Sequence, residues 1–403
     1  MATSKVVLLR CECYDHPAVF SIVEKGINLL GGPSAFAKKG ETILLKPNWL
    51  AADPPEKCTA THPALFKATA EVLKKTGAKF VYGDSPSFNT PSLASRIAGF
   101  TAIAKELGIP LADFVHGREV FFTNGIQNKK FIIANGVLDC DGVISLPKLK
   151  AHGFQRFTGA IKNQFGCIPG PSKGEFHVKM PDALNFAKLL VDLNSYIKPR
   201  LYIMDGIIAM EGNGPRGGNP KKLSVLLFST DPVALDATAC RIINCDPGFV
   251  PAITFGKIAG AGTYSVDEIE LIGDPLESFM DREFDIKREP VRPYHFKKTL
   301  KALKNIIVPK PYIFQKKCVK CGVCIKVCPV NPKAIHWRRD NKMQIPAYNY
   351  KICIRCFCCQ ELCPESAIRI KVPFIRKPIF NIFLFAGQIK ARLSTRFGRT
   401  EKK

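Results

Sequence analysis

The sequence predicts an α/β domain with a mainly parallel sheet, followed by a small α+β domain that is rich in cysteine. Short apolar runs alternate with helix-like segments over the first 285 residues, as in parallel sheets covered by helices. Nine of the 16 cysteines fall between Cys318 and Cys363. Residues 286–403 contain 28 Lys+Arg and 5 Asp+Glu, so most of the net charge of +25 lies there. Cysteine content and charge change together, which indicates two units with different roles.

We divide the 403-residue chain into four parts. Residues 1–285 are the α/β domain, 286–315 a basic linker, 316–371 the cysteine-rich domain and 372–403 a basic amphipathic tail. The 46% hydrophobic and 23% charged residues are typical of a folded protein and exclude wholesale disorder. No apolar run approaches the ~20 residues that cross a bilayer, and the N-terminal residues do not read as a secretory signal. We therefore expect a cytoplasmic protein.

Six predicted strands alternate with five predicted helices in the first unit. The strands are VVLLR (6–10), TILLKPN (42–48), AKFVYGD (78–84), GVISLPK (142–148), LYIMDGI (201–207) and LSVLLFS (223–229). The helices lie near residues 17–30, 62–77, 93–107, 183–196 and 231–243. Thr61 and Asp231 precede proline-containing first turns and are predicted N-caps. Right-handed crossovers would place helices on both faces of the sheet.

Polar residues follow the predicted strands at their carboxyl ends. Because parallel strands end at one edge of a sheet, and ligands bind at that edge, these residues predict a site. The Gly-rich loop GNGPRGG (212–218) matches neither a Rossmann fingerprint nor a Walker loop, but a flexible turn of this kind can approach an anion. The candidates at this edge are Lys46, Asn48, Asp84, Lys148, Lys150, His152, Asp205, Glu211, Gly212 and Gly214.

The segment LPKLKAHGFQRFTGAIKNQFGCIPGPSKGEFH (146–177) is a loop-rich, cationic stretch that has no acid before Glu175. Such a stretch suits a carboxylate, a phosphate or a developing enolate; a solvated basic loop is the alternative. Its histidines are either acid–base groups or metal ligands. We expect Lys148, Lys150, Lys162 and His152 to hold or polarise an anion, with Lys46 and Asn48 positioning it. Proton transfer or metal binding would fall to Asp84, Asp205, Glu211 or His177.

The most specific motif is a cysteine run that occurs twice. The pattern C-x2-C-x2-C-x3-C-P begins at Cys318 and again at Cys353. This is the bacterial run for 4Fe–4S clusters, in which the fourth cysteine ligates the other cluster. Zinc is the competing interpretation, but zinc sites usually use two separated Cys-x-x-Cys pairs. The predicted ligands are Cys318, Cys321, Cys324 and Cys363 for the first cluster, and Cys353, Cys356, Cys359 and Cys328 for the second.

Over about 55 residues this unit resembles the two-cluster bacterial ferredoxins, which implies an α+β ferredoxin-like fold. Phe357 stands where the first run has Gly322, and an extra cysteine, Cys358, precedes ligand Cys359. We interpret Cys358 as a packed thiol, with a switching ligand as the alternative. The segment HWRRDNKMQIPAYNY (336–350) is predicted to form a hairpin between the two runs.

The whole chain resembles the domain-of-unknown-function 362 family in its ferredoxin-fused form. The resemblance covers residues 1–275 and the ferredoxin-like unit, and implies an iron–sulfur protein with a redox-linked larger domain. It implies no particular reaction. The motifs that carry it are LLKPN (44–48), THPA (61–64), GDSP (83–86), LPKLKAHG (146–153), GAIKNQFG (159–166), DGIIAMEGNGP (205–215) and STDPVALDA (229–237).

The linker 296–317 and the tail 373–399 alternate basic and apolar residues without an acid. Three roles remain open for them: an interfacial helix on anionic lipid, a docking segment for an acidic redox partner, or packing on the α/β domain. Nucleic acid is not expected, because no recognised binding module accompanies the charge. The first functional hypothesis is an oxidoreductase that uses two 4Fe–4S clusters and a small anionic substrate. The second is a ferredoxin-like electron carrier or iron–sulfur accessory protein.

Overall fold

The structure is a computed structural model that describes residues 3–291, 308–338 and 341–373. Most of the predicted linker and the tail from residue 374 onward therefore lie outside the described residues. The larger unit is built on a nine-stranded sheet, and the smaller unit contains two two-stranded sheets. An α/β domain followed by a ferredoxin-like unit confirms the predicted fold class.

The central sheet has the strand order β11-β1-β10-β9-β6-β2-β3, and β7 and β8 extend it beside β9. All its described strands run in one direction except β8 and β10. Strands β4 and β5 form a separate antiparallel pair. The strands are β1 Ser4–Arg10, β2 Thr42–Pro47, β3 Lys79–Tyr82, β4 Gly117–Phe121, β5 Lys130–Ala134, β6 Gly142–Leu146, β7 Lys148–His152, β8 Arg156–Thr158, β9 Leu201–Glu211, β10 Asn219–Ser229 and β11 Ile269–Gly273.

Helices cover both faces of this sheet and form two apolar cores. Along β1, Val6 and Leu8 pack into one core, whereas Val7 and Leu9 pack into the other, because side chains alternate along a strand. The helices are α1 His16–Leu29, α2 Pro63–Lys74, α3 Pro91–Ile97, α4 Phe100–Glu106, α5 Asn135–Leu138, α6 Ala160–Asn163, α7 Gly170–Lys179, α8 Ala183–Ile197, α9 Pro232–Ile242 and α10 Pro251–Ile258.

The two predicted N-caps have different outcomes. Asp231 caps α9 and accepts hydrogen bonds from the amides of Val233 and Ala234, as predicted. The N-cap of α2 is His62, whose Nδ1 accepts from the amide of Ala64. The prediction for Thr61 is wrong because its hydroxyl already has other partners. Its Oγ1 accepts from the amide of Asn48 and donates to the carbonyl oxygen of Leu146.

Residues 146–177 are not the loop-rich stretch that the sequence predicts. They form β7, β8, α6 and most of α7. All five residues of β7 are buried, so its lysines and histidine do not mark a solvent face. The residues of α7 include Gly170 and Gly174, which have low helix propensity, so packing overrides the local preference there. The cationic side chains are thereby fixed on regular elements.

Among its described residues, the ferredoxin-like unit contains two short strand pairs and two short helices. Strands β12 Lys310–Ile313 and β15 Ile368–Lys371 pair, as do β13 Ile335–His336 and β14 Ala347–Tyr348. The second pair forms the predicted hairpin. Each run also contributes a short helix, α11 Val323–Lys326 and α12 Cys358–Glu361. Gly322 and Phe357 precede these helices with φ angles of 74° and 64°, so the two positions share one left-handed conformation despite their different side chains.

Candidate functional site

The first group of cysteines lines one small cavity of the ferredoxin-like unit. Burial, followed by the neighbouring thiols of Cys363, Cys321 and Cys318, raises the pKa of Cys324 to about 12. Thiols of this kind ionise only beside strong positive charge, which iron supplies in a cluster. The backbone amide of Ala367 donates to Cys363 Sγ over 3.3 Å. The cavity is lined by the four residues predicted for the first cluster, Cys318, Cys321, Cys324 and Cys363.

The second group of cysteines is buried between this cavity and the α/β domain. Cys328 and Cys353 lie in one apolar cluster. Burial, followed by the neighbouring thiol of Cys356, raises the pKa of Cys359 well above its usual value. The hydroxyl of Tyr348 donates to Cys359 Sγ over 3.2 Å. A buried sulfur set with hydrogen-bond donors fits a 4Fe–4S cluster.

Cys358, the extra cysteine, is not a solvent-exposed thiol. It is buried, and its thiol shares a hydrogen bond with that of Cys356. That hydrogen bond is the main cause that raises the pKa of Cys358, followed by burial. Cys358 therefore packs beside a predicted ligand and stays protonated.

The Gly-rich loop (212–218) holds the two units together. Arg216 donates from Nη1 to the carbonyl oxygen of Leu362 over 2.8 Å. Asn213 donates from Nδ2 to Ser366 Oγ over 2.7 Å. The loop therefore contacts the second cysteine run directly, and Gly214 contributes its carbonyl oxygen to the same junction.

A cleft of about 550 Å³ lies between the carboxyl edge of the sheet and the ferredoxin-like unit. Its α/β wall includes aromatic side chains and the basic groups of α6 and α7, and its other wall includes residues of both cysteine runs. Its volume is in the range of small-molecule sites. Lining residues from the two units include Phe88, Phe114, Lys162, Phe165, Lys173, His177, Lys326, Cys328, Lys333, Cys358 and Glu361.

The basic groups of the cleft are electrostatically perturbed. Burial lowers the pKa of Lys162, against the opposing attraction of the Glu361 carboxyl. Burial lowers the pKa of Lys173 to about 7 and that of His177 to about 3. Lys173 donates to the carbonyl oxygen of Ser85. At neutral pH the cleft therefore contains a neutral imidazole and cations whose charge is poorly solvated.

Several predicted site residues are paired with one another at the carboxyl edge, outside the lining of this cleft. Lys46 Nζ lies 2.8 Å from Asp84 Oδ1, and Lys148 Nζ lies 2.8 Å from Asp205 Oδ2; all four side chains are buried. These ion pairs neutralise the two lysines and the two carboxylates. The edge brings together the residues that the sequence grouped, but their charges are already satisfied.

Lys150 and Asn48 form a neighbouring contact. Lys150 donates to Asn48 Oδ1 over 2.6 Å and to the carbonyl oxygen of Thr59 over 2.8 Å. Burial, followed by repulsion from Lys162, lowers the pKa of Lys150 to about 7. Near neutral pH a larger fraction of this lysine is therefore unprotonated than of an exposed lysine.

His152 faces the second unit through Glu361. Its Nδ1 accepts from the amides of Phe154 and Gln155, and its Nε2 lies 3.6 Å from Glu361 Oε1. Burial lowers the pKa of His152 well below its usual value and raises that of Glu361 to about 7. The pair therefore joins β7 to α12 at the junction of the two units.

Glu211 and Gly212 lie on the other side of this junction. Glu211 Oε2 accepts from the amide of Asp285, and the amide of Gly212 donates to the carbonyl oxygen of Asp285. Among residues 3–291, 308–338 and 341–373, no three His, Cys, Asp or Glu side chains converge on a single metal position. The carboxylate of Glu211 is thus engaged by the backbone of Asp285, and Glu211 does not line the cleft.

Lys173, Cys358 and Glu361 are among the cleft residues that the sequence did not predict as site residues. Lys173 belongs to the cationic segment and could have been found there. Glu361 and Cys358 stand between predicted ligands, and their position in the cleft depends on how the two units dock. In the part of the chain that the structure describes, no helix is long and apolar enough to span a membrane.

Comparisons with known proteins agree with this architecture. Residues 43–241 match the family model described as domain of unknown function (DUF362), and residues 315–367 match that of the 4Fe–4S dicluster domain. A thylakoid-associated protein of Synechocystis sp. is 33% identical over 277 residues, which are 68% of this chain and 86% of that protein. The match to the 4Fe–4S dicluster domain shows that the chain binds a 4Fe–4S cluster and has an iron–sulfur electron-transfer role.

Two solved structures show a distant likeness. The lactate racemase apoprotein from Thermoanaerobacterium thermosaccharolyticum has a TM-score of 0.37 and 13% identity, over 57% of this chain and 55% of the racemase. A protein from Thermotoga maritima has a TM-score of 0.36 and 11% identity, over 58% of this chain and 59% of its own. Neither likeness bears on function, and this chain spans little more than half of each structure.

The identity to the Synechocystis protein and the two model matches show that the chain belongs to the domain-of-unknown-function 362 family, in a form that carries a 4Fe–4S dicluster domain.

Proposed function

We propose that this protein is an oxidoreductase that holds two 4Fe–4S clusters and exchanges electrons with a small anionic molecule in the cleft between its units. One observation carries the proposal: Cys328, a predicted ligand of the second cluster, lines the same cleft as Lys162, Lys173 and His177. A molecule bound by these basic groups would lie beside that cluster. The clusters supply or accept single electrons, and the protein supplies position and charge.

In this proposal the chain supplies two sets of four cysteine ligands. The first set lines its own cavity, and the second is buried beside the cleft. We assign Cys318, Cys321, Cys324 and Cys363 to the first cluster and Cys353, Cys356, Cys359 and Cys328 to the second, following the exchange of the fourth cysteine in such runs. Cys358 is not a ligand in this assignment.

Polar atoms that lack partners support ligand binding in the cleft. Nδ1 of His177 is buried without a hydrogen-bond partner among the described residues, and Oε1 of Glu361 lies 3.6 Å from His152 Nε2, beyond hydrogen-bond distance. Buried polar atoms are normally hydrogen-bonded, so such atoms in a cleft favour a bound polar molecule. Lys162 and Lys173 make the cleft favourable for an anion, and the aromatic wall formed by Phe88, Phe114 and Phe165 suits an apolar body.

The residues of the cleft have distinct roles in this proposal. Lys162 attracts the anionic group, and His177 offers it a neutral hydrogen-bonding imidazole. Lys173, whose pKa is about 7, can give a proton to the bound molecule at neutral pH and recover it from solvent. The buried Lys46–Asp84 and Lys148–Asp205 pairs fix the carboxyl edge that carries these groups, instead of binding the anion themselves.

The test is oxidation of the reduced clusters by small anions. The anaerobically purified protein, reduced with dithionite and freed from it, is mixed with a panel of carboxylates and phosphate esters while cluster absorbance is recorded. We expect some members to reoxidise the clusters, and we expect Lys162→Gln to slow this at least about tenfold, the value of one lost charged contact. The matched control is Lys105→Gln, at an exposed lysine of α4.

Two measurements decide between this proposal and its rival. Iron and acid-labile sulfide of about eight each per chain support two clusters, whereas about four each contradict them. Equal reoxidation rates in Lys162→Gln and the wild type would contradict the role of the cleft. Clusters that exchange electrons with a ferredoxin but with no member of the panel would favour the electron carrier.

A further inference from the structure

The two ligand sets differ in their exposure to solvent. Cys321 is exposed, and Cys318 and Cys324 are partly exposed. The four cysteines assigned to the second cluster are all buried, and one of them, Cys328, lines the cleft. Because electron transfer weakens steeply with distance, electrons from outside the protein have their shortest route through the first cluster. The surface around Cys321 is therefore the natural contact for a redox partner.

That surface is strongly basic. Lys316, Lys317 and Lys320 are exposed, and none of them has an ion-pair partner among the residues that the structure describes. Val319, between them, is 62% exposed. We call Lys316, Lys317, Val319, Lys320 and Cys321 the docking face.

The wider unit reinforces this charge. Residues 308–338 and 341–373 contain 12 Lys+Arg and 2 Asp+Glu. Of the two acids, Glu361 is buried at the junction of the units, and Glu365 is exposed. The docking face therefore lies in a positive field that extends over most of the ferredoxin-like unit.

We propose that the docking face binds a small acidic electron-transfer protein, which exchanges single electrons with the first cluster. This inference rests on the two-cluster part of the proposed function. In each encounter one electron passes from the reduced partner to the oxidised first cluster, and then to the second cluster. The partner is oxidised by one electron, the cluster is reduced by one, and no bond or proton is exchanged.

Charge complementarity and exposed area favour a protein over a lipid surface at this face. A peripheral membrane segment buries a continuous apolar face, whereas this face offers one exposed apolar residue, Val319, among lysines. A lipid headgroup also carries no redox centre, so it would exchange no electrons with a cluster held by the exposed Cys321. Transient redox complexes use small, charged contacts of this kind.

The experiment follows electron arrival at the clusters without any cleft ligand. A reduced plant-type 2Fe–2S ferredoxin of strongly negative net charge is mixed with the oxidised holoprotein by stopped flow. We expect the second-order rate constant to fall with rising salt, because the Debye length shortens. We expect the triple variant Lys316→Glu, Lys317→Glu and Lys320→Glu to be at least about tenfold slower than the wild type at low salt.

A matched variant controls for net charge. Lys25→Glu, Lys39→Glu and Lys105→Glu reverse three exposed lysines of the α/β domain, and we expect less than a twofold change. Iron content and electron paramagnetic resonance (EPR) spectra must match the wild type in both variants. Independently, carbodiimide crosslinking of the wild-type protein to the ferredoxin should join carboxylates of the ferredoxin to residues 316, 317 and 320, and this readout needs no variant.

Three results would overturn the docking face. They are equal rates in the triple variant and the wild type, crosslinks confined to other lysines, or a triple variant that loses only its sedimentation with phosphatidylserine vesicles. The last result would assign the face to anionic lipid. A protein that accepts electrons normally but reduces no anion would contradict the cleft and leave the docking face intact. An iron content of about four per chain would contradict the two-cluster premise itself.

Discussion

Gln360 of the ferredoxin-like unit donates from Nε2 to Asn213 Oδ1 over 2.8 Å, and this hydrogen bond crosses the junction of the two units. Asn213 also donates to Ser366 Oγ, so one amide side chain joins the Gly-rich loop to two points of the second cysteine run. This side chain is thus one of several that join the two units.

Replacement of Asn213 by alanine should loosen the junction. The change removes an acceptor from the buried amide of Gln360 and a donor to the part-buried hydroxyl of Ser366, which costs about 1–3 kcal/mol. We expect faster amide hydrogen exchange in residues 212–218 and 358–368, measured by mass spectrometry. Asn28→Ala, at an exposed position of α1, is the control. Unchanged exchange at the junction would show that the remaining contacts suffice.

The hydrogen bond from Tyr348 to Cys359 should raise the reduction potential of the second cluster. A donor to a ligand sulfur stabilises the more negative, reduced state. We expect Tyr348→Phe to lower the potential by roughly 20–60 mV, the equivalent of one hydrogen bond of about 0.5–1.5 kcal/mol in a one-electron couple. An EPR-monitored redox titration measures it.

Tyr350 provides the matched control for this change. Its ring stacks on that of Tyr348 at 5.4 Å, but its hydroxyl donates to the carbonyl oxygen of Pro311. Tyr350→Phe removes a hydroxyl from the same aromatic pair without removing a donor to sulfur. Equal shifts in the two variants would refute a specific effect of the bond to Cys359.

Lys148→Ala should destabilise the α/β domain. The substitution leaves the buried carboxylate of Asp205 without its cation, and loss of one partner from a buried pair costs about 3–5 kcal/mol. The hydroxyl of Tyr14 still donates to Asp205, so we expect the lower end of this range. Urea unfolding followed by the fluorescence of buried Trp49 measures the effect.

A control at an exposed lysine shows whether the effect is specific to the buried pair. Lys105→Ala, at an exposed lysine, should change the free energy of unfolding by less than about 0.5 kcal/mol. If Lys148→Ala were as stable as the wild type, the ion pair would contribute nothing, and Lys148 would again be a candidate for binding the anion.

The buried Lys150 should make stability rise with pH on the alkaline side of neutrality. Its pKa is about 7 in the folded protein and 10.5 in an exposed lysine. Between these values the unfolded chain binds a proton that the folded chain does not, so unfolding is opposed as pH rises. From pH 7.5 to 9.5 we expect the wild type to gain roughly 2 kcal/mol relative to Lys150→Met in urea unfolding. Parallel pH profiles in the two proteins would contradict this.

Among the strands described in the larger unit, the sequence predicts β1, β2, β3, β6, β9 and β10, because their apolar patterns are local. It does not predict β4, β5, β7, β8 and β11, nor the helices α5, α6, α7 and α10. Helix α8 begins at Ala183, as predicted, and α1 differs from the predicted segment by one residue at each end. The predicted helix over 93–107 is two helices, since Gly99 adopts a φ of 81° between them. The stretch 146–177 was mispredicted as loop because burial on both sides hides the polar–apolar alternation of β7.

The site was predictable only in part. The carboxyl edge collects Lys46, Asp84, Lys148 and Asp205 as its topology requires. The sequence does not show that these residues form two buried ion pairs, because that depends on side-chain positions in the folded protein. The cleft depends on the docking of two units far apart in the chain, so Glu361 had no sequence signal as a cleft residue.

The shared cleft has a consequence for how this protein can change in evolution. Under the proposed function, one wall of the cleft holds the anion and the other contains Cys328, a predicted cluster ligand, so a single substitution there can change both the anion preference and the reduction potential. A substitution near Cys328 or Glu361 that enlarges the cleft also alters the surroundings of the second cluster. New specificities would therefore arise most freely on the opposite wall, around Phe88 and Phe114, where redox properties are left unaltered.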